Sequence, residues 1–317
     1  MLSRTADNLY WMGRYMERAE TMARLLHVGA RMTLMPDTVD GFRSEWVSIL
    51  HASGTHAAFE KKYGEAVERN LVTHLFFDRE NPSSVAGCFA AARENARIVR
   101  TALSAPVWDA LNGAYQELKA LERTERSEIS ITALTEWTER HYALTWGALE
   151  STLLRNDGYD FVHLGLSLEM ADNTARFLDV KYYVLLPDAG FVGSGLDNIQ
   201  WQTLLRGMQM HRAFHWAYGG EITSAKIAHM LILNPACPRS LRTAVECASR
   251  HLDHLSRQYD AVGPAQTAAR NLLDELDRTT IDDVFEEGLH DFVKRFKGQV
   301  AAIGTIVSDT YLIGAAA

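Results

Sequence analysis

Apolar residues recur at three- and four-residue intervals through most of the chain, and strand-like alternation of useful length is absent. That periodicity predicts helices throughout and an all-α fold. Residues 3–32 read as the first helix, with Ser3 as its N-cap. Met12, Met16, Ala19, Met22, Ala23 and Leu26 form a broad apolar arc; Gly13, Glu17, Glu20 and Arg24 fall on a second stripe at i, i+4, i+7 and i+11. Met35-Pro36-Asp37 ends the element, because proline cannot continue a helix interior.

The same pattern returns 152 residues later, where Gly13, Glu17, Ala19, Ala23, Arg24, Leu26 and Val28 recur as Gly165, Glu169, Ala171, Ala175, Arg176, Leu178 and Val180. Leu186-Pro187-Asp188 closes this second copy. A second block follows at a spacing of 155: Trp46, Leu50, His56, Ala58, Phe59, Tyr63 and Gly64 match Trp201, Leu205, His211, Ala213, Phe214, Tyr218 and Gly219. A third, at 156, pairs Pro82-Ser83-Ser84-Val85 with Pro238-Arg239-Ser240-Leu241, each opening a helix (84–103 and 240–258). The drift in spacing puts small insertions in loops such as Gly190–Gly195. Segments 108–121 and 132–154 complete the first unit; 264–276, 281–297 and 300–312 complete the second. Three collinear blocks predict an internal duplication of a unit of about 150 residues, too long for a solenoid repeat. The polar run Glu122–Ser130 reads as a seam, and the units divide as 1–152 and 153–317. The expected architecture is two duplicated helical-bundle halves packed together, with about ten to twelve helices.

Composition narrows the function classes. A net charge of −8 argues against a dedicated nucleic-acid binder. Cys88, Cys237 and Cys247 make neither a disulfide framework nor a metal-type pairing, which fits a reducing cytoplasm. The start, MLSRTADNLYW, lacks the apolar core of a signal peptide, and no run approaches a membrane span. A soluble cytoplasmic protein is expected.

Glu17 and Glu169 are the first candidates for chemistry. Each follows a glycine by one turn, so something can approach closely, and neither has a basic partner at i+4. A buried glutamate must find a partner elsewhere or stay protonated. The competing structural reading is that Glu20–Arg24 and Asp172–Arg176 are i,i+4 helix-supporting pairs and the glycines permit close helix packing. Arg14 and Arg18 become Leu166 and Met170 in the second copy, so any site falls to the first half. Arg93, Arg97 and Arg100, with Asn95 nearby, share one helix face and offer forked donors for phosphate or carboxylate, unless they are simply a solvated face. His211/His215, His251/His254 and Glu287-x2-His290 raise the metal question, but the di-iron signature needs a second Glu-x2-His that the duplicated half lacks. No metal site and no cofactor motif is expected: Walker loop, GxGxxG, GxSxG and HExxH are all absent. Trp11, Trp46, Trp201 and Trp216 read as core anchors.

The opening LSRTADNLYWMGRYMERAETMARLL, with NPSSVAGCFAAARENARIVR, TLLRNDGYDFVHLG and NPACPRSL, resembles the Alpha-E family of bacterial helical proteins, over essentially the full chain. The family takes its name from a Glu-Arg motif, here Glu17-Arg18. The resemblance implies an all-helical fold and an association, by gene neighbourhood or fusion, with circularly permuted ATP-grasp proteins and transglutaminase-like proteins. It implies motif roles for Arg14, Glu17, Arg18, Arg24, Arg93, Glu94, Asn95, Arg97 and Arg100. The second copy departs from the pattern, with Gly165-Leu166 and Glu169-Met170 where Gly-Arg and Glu-Arg are usual.

The leading expectation is therefore an accessory or partner protein of an ATP-grasp amide or peptide ligase, binding the ligase or its substrate through the Glu17 and arginine face. An alternative is a stand-alone enzyme on an amine or acyl substrate, with Glu17 as base and the Arg93, Arg97 and Arg100 cluster as anion clamp. That alternative requires one pocket joining Glu17 to these arginines. A metal-binding bundle is the third.

Overall fold

The computed structural model describes residues 1–34, 45–185, 195–260 and 262–312, and every regular element within them is a helix. The predicted stops at Met35-Pro36-Asp37 and Leu186-Pro187-Asp188 lie outside the described residues, as does all but the last residue of the Gly190–Gly195 loop.

The first half runs α1 (Ser3–Met32), α2 (Glu45–Ser53), α3 (His56–Tyr63), α4 (Glu68–Val72), α5 (Val85–Ile98), α6 (Ala105–Leu121) and α7 (Ile131–Thr152). The rest runs α8 (Asp157–Leu185), α9 (Gly195–Gly207), α10 (His211–Tyr218), α11 (Ser224–Ile232), α12 (Leu241–Gln258), α13 (Pro264–Arg278), α14 (Ile281–Glu287) and α15 (Leu289–Tyr311). Fifteen α-helices among the described residues exceed the expected ten to twelve. A glycine accounts for part of the excess: Gly54 at φ +72° separates α2 from α3; Gly288 at φ +94° separates α14 from α15 but only moves a boundary. The expected break between Lys297 and Val300 does not occur. Gly298 keeps a helical backbone inside α15, and a lone helical glycine costs only about 1 kcal/mol against alanine.

Ser84 and Ser240 cap α5 and α12 as predicted, accepting from the backbone N–H of Gly87 and of Thr243, both at 3.0 Å. Ser3 does not cap α1. Leu2 holds the cap position, no side chain accepts there, and Ser3 is the first helical residue. The polar run Glu122–Ser130 contains a 3-10 turn (Arg126–Glu128) and returns α7 against α6, so it is a tight connection within one layer rather than a gap between bundles.

The longest helices, α1 and α8, pack along each other at the centre. α5 and α7 flank α1 while α12 and α15 flank α8; α6 closes over the first pair and α13 over the second. α2 packs mainly on α8 and α9 on α1, so each central helix is also covered by a helix from across the interface. From Thr5 to Ala30 no residue of α1 is fully exposed, which is the environment of a core helix rather than a surface amphipath.

The glycines of the repeated block explain the close central contact. A methyl group on Gly13 would run into the backbone carbonyl of Val162, and one on Gly165 into the carbonyl of Tyr10. What approaches each glycine is the other helix.

Candidate functional site

Glu17 lies on the inner side of α1 with 0% exposure. Its Oε1 accepts from Arg239 Nη1 at 2.7 Å and its Oε2 from the Tyr142 hydroxyl at 2.8 Å. Arg239 stands in the turn before α12, where Thr174 Oγ1 donates to its carbonyl at 2.9 Å and holds the turn against α8. The same guanidinium reaches Glu20, whose other oxygen takes Arg24 Nη2 at 2.6 Å. Burial pushes the Glu17 carboxyl up; Arg239 opposes this, and the nearby Glu20 charge adds to it. Burial also works against the Arg239 charge, but Glu17 and Glu20 outweigh it and hold the guanidinium firmly protonated.

Glu169, the repeat of Glu17, is buried on α8 and takes its partners from α1. Arg14 Nε donates at 2.7 Å, and Arg18 binds through Nε at 2.6 Å and Nη2 at 3.0 Å. Burial raises the Glu169 carboxyl, but Arg18 and Arg14 outweigh it, leaving the group below the usual range. Glu17 and Arg18 are consecutive, about 100° apart around α1, and so face different partners. The Glu-Arg dipeptide is thus a two-way clasp across the central helix pair.

The remaining repeated residues also cross over. Arg24 pairs with Glu20 and donates Nη1 to the Met208 carbonyl just beyond α9 at 2.8 Å. Arg176 pairs with Asp172 at 2.6 Å and donates Nη1 to the Ala52 carbonyl near the end of α2 at 3.2 Å. Each arginine satisfies an end-of-helix carbonyl that has no partner within its own helix.

The expected arginine clamp does not form with Glu17. Arg93 and Arg100 lie over the Trp108 ring, at 5.4 and 5.0 Å from its centroid, and Arg93 Nε donates to Asn112 at 2.9 Å. Arg97 turns away to fork onto Glu94 at 2.9 and 2.6 Å on the exposed side. Asn95 is half-buried on α5. Glu17 meets none of these residues, and neither of its oxygens is open to a substrate proton. The α5 arginines therefore form an aromatic-backed surface group separate from the Glu-Arg network.

Other expectations also move. His211 and His215 adjoin, with ring centroids 4.7 Å apart, but no group of three metal-capable side chains among the described residues includes them. Glu287 is taken by Arg295 at 2.8 Å and His290 by Asp179 at 2.7 Å, so Gly288 splits the Glu-x2-His spacing. Trp46 and Trp201 are buried as anticipated, but Trp216 is 92% exposed. α10 buries Phe214, and a residue two positions on points to the opposite face.

A cavity of about 720 Å³ opens beside Arg239, between α7, α8 and α12. Leu166 and Met170, which stand where the repeat register puts Arg14 and Arg18, form part of its wall. The exchange of two arginines for apolar side chains thus coincides with open space, which Tyr142, Trp146 and Glu150 of α7 close from the other side. Its lining includes Arg250, which is exposed, donates Nη2 to Cys247 Sγ at 3.3 Å and has no carboxylate partner among the described residues. Glu150 faces it too, receiving the Tyr159 hydroxyl at 3.1 Å on both oxygens. His163 is 6% exposed; Nε2 is 3.1 Å from Glu150 Oε1 without hydrogen-bond geometry. Sequence reasoning missed Tyr142, Asp160, His163, Arg239 and Arg250. Only Arg239 left a signal: it stands against Ser83 in an otherwise matched block.

An all-helical chain with two long central helices clasped by buried glutamate–arginine pairs is the class that the fold and site define. The chain belongs to the Alpha-E family, described as "a predicted alpha-helical domain with a conserved ER motif", which matches residues 1–312. Uncharacterized proteins of Mycobacterium bovis and of Mycobacterium tuberculosis strain CDC 1551 are each 33% identical over 117 residues, covering 33% of this chain and 13% of the relative. The chain thus spans about an eighth of the length of these curated relatives. No solved structure matches.

Proposed function

We propose that this chain is the substrate-holding partner of an ATP-grasp amide or peptide ligase, with a transglutaminase-like protein as a further associate. We place the ligand in the cavity between α7, α8 and α12. The observation that carries this reading is the pairing in one cavity of an uncommitted guanidinium, Arg250, with a carboxylate, Glu150, from which Arg155 stands off at 3.7 Å. Those opposite charges suit the carboxylate and ammonium of an amino acid or peptide end. Apolar walls at Leu166, Met170 and Trp146 suit a concave ligand site. The relatives support joint action with other domains, since their matching segment is a small part of a much longer polypeptide. The matching contacts of Gly13 with the Val162 carbonyl and Gly165 with the Tyr10 carbonyl, and of Arg24 with the Met208 carbonyl and Arg176 with the Ala52 carbonyl, support descent of 1–152 and 153–317 from one duplicated unit.

Adding the purified chain to an ATP-grasp ligase from the same host should raise ADP release with L-glutamate or a glutamyl dipeptide as acceptor, and Arg250→Ala should abolish the increase. An unchanged rate with the wild-type chain would contradict the reading.

A further inference from the structure

We infer that Asp160, His251 and His254 form a binding site for a borderline divalent transition-metal ion such as Zn²⁺, set in the wall of the cavity. Asp160 lies in the first turn of α8, while His251 and His254 are one turn apart on α12. Nδ1 of His251 lies 2.8 Å and Nδ1 of His254 3.1 Å from the same oxygen, Asp160 Oδ1. The three potential ligand atoms all fall within 4.8 Å of one another, and no other such group of three or more occurs among the described residues.

Ligand atoms of a tetrahedral zinc site, with bonds of about 2.0–2.1 Å, stand about 3.3 Å apart. The two separations from Asp160 Oδ1 require an opening of about half an ångström or less, and the two histidine nitrogens lie within 4.8 Å of each other. Two imidazole nitrogens and one carboxylate suit zinc and its first-row neighbours, whereas magnesium and calcium prefer six or more oxygen ligands. In the hydrogen-bonded arrangement each Nδ1–H donates to Asp160. Metal binding takes the Nδ1 lone pairs, and each proton moves to Nε2, so neutral imidazoles bind without net loss of a proton.

Two further observations point to a ligand here. All three residues line the 720 Å³ cavity, so three protein ligands would leave a position open towards it, the arrangement of catalytic rather than structural zinc. His163, 94% buried by its 6% exposure, lines the same cavity with its ring 4.9 Å from that of His251 and its Nε2 making no hydrogen bond. None of these side chains belongs to the Glu-Arg clasp, and zinc binding stands independently of the carboxylate-ligand reading.

The test is calorimetric titration of the full chain, freed of metal by chelator dialysis, with Zn²⁺ and separately with Mg²⁺. Co²⁺ substitution, read by visible absorption, reports the ligand field. The expected result is one equivalent of Zn²⁺ per chain, no Mg²⁺ binding, and at least tenfold weaker Zn²⁺ affinity in His254→Ala and Asp160→Asn. His254 is 44% exposed at its side chain, so its replacement leaves folding intact. His211→Ala, at the other histidine pair, should bind as the wild type does. Absence of saturable one-equivalent binding, wild-type affinity in both ligand variants, or loss in His211→Ala in their place would overturn the assignment.

Discussion

Arg239 donates to Glu17 across 222 residues of sequence, Nη1 to Oε1 at 2.7 Å, and joins the turn before α12 to the middle of α1. The contact has a counterpart of reversed direction, since Glu169 on α8 takes Arg14 and Arg18 from α1. Each buried glutamate of the repeat is thus neutralised from the other side of the central helix pair. This is why the helices can carry acids at the same positions as packed alanines and glycines. An unpaired carboxylate there would face a desolvation cost of several kcal/mol.

Removing one partner exposes that cost. Arg239→Met should destabilise the chain by about 3–5 kcal/mol, because Glu17 then keeps only the Tyr142 hydroxyl. Arg14→Met should cost less, since Arg18 still holds Glu169 through two nitrogens. Urea unfolding monitored by helix content ranks the two; a larger loss in Arg14→Met would contradict this order.

Gly13→Ala and Gly165→Ala should each cost about 1–3 kcal/mol or more, because the added methyl meets backbone that cannot rotate aside. Gly298→Ala, with open space around its position, should be neutral or stabilising. Thermal unfolding of the three variants separates these outcomes.

Acid should act through Glu169. Its folded carboxyl titrates below the unfolded value of about 4.3, so its stabilisation is present above that pH and fades as pH falls through the folded value. Glu17 has the opposite sign. Its raised carboxyl contributes fully below about pH 4.3 and loses that contribution as pH rises through the folded value. Glu169→Gln should therefore flatten the acid limb of a stability–pH curve, and Glu17→Gln the limb above it. Parallel curves for wild type and both variants would rule this out.

His163 adds a separate acid sensitivity. An unfolded histidine takes a proton near pH 6.5, whereas the buried ring resists protonation until about 3. Stability should therefore fall between pH 6.5 and 5 by up to about 2 kcal/mol from this residue alone. His163→Gln should remove that slope, as measured by urea midpoints at the two pH values.

The periodicity of α1 and α8 made the helices legible, and comparing the two similar segments picked out Gly13, Glu17 and Arg24 with Gly165, Glu169 and Arg176 as the constrained positions. Their roles were less legible, because a core contact and a ligand contact place the same demands on a buried glutamate and glycine. A helix boundary moved where φ decided the outcome: Gly288 breaks a helix and Gly298 does not, although neither signals this by type. The cavity was hidden because it joins α7, α8 and α12. Asp160 and His251 are 91 positions apart and meet only through the packing of α12 on α8. The replacement of Arg14 and Arg18 by Leu166 and Met170 was visible as a loss of charge, but that it borders open space is a property of the packing.

The most direct test of the central claim, that the cavity beside Arg239 holds a carboxylate-bearing amino acid or peptide end, is calorimetric titration of the full chain with L-glutamate and a glutamyl dipeptide. Arg250→Ala and the cavity-filling Leu166→Trp are titrated alongside. The wild type should show saturable one-site binding, at least tenfold weaker in Arg250→Ala and absent in a folded Leu166→Trp. No binding to the wild type, or equal binding to all three, would contradict it.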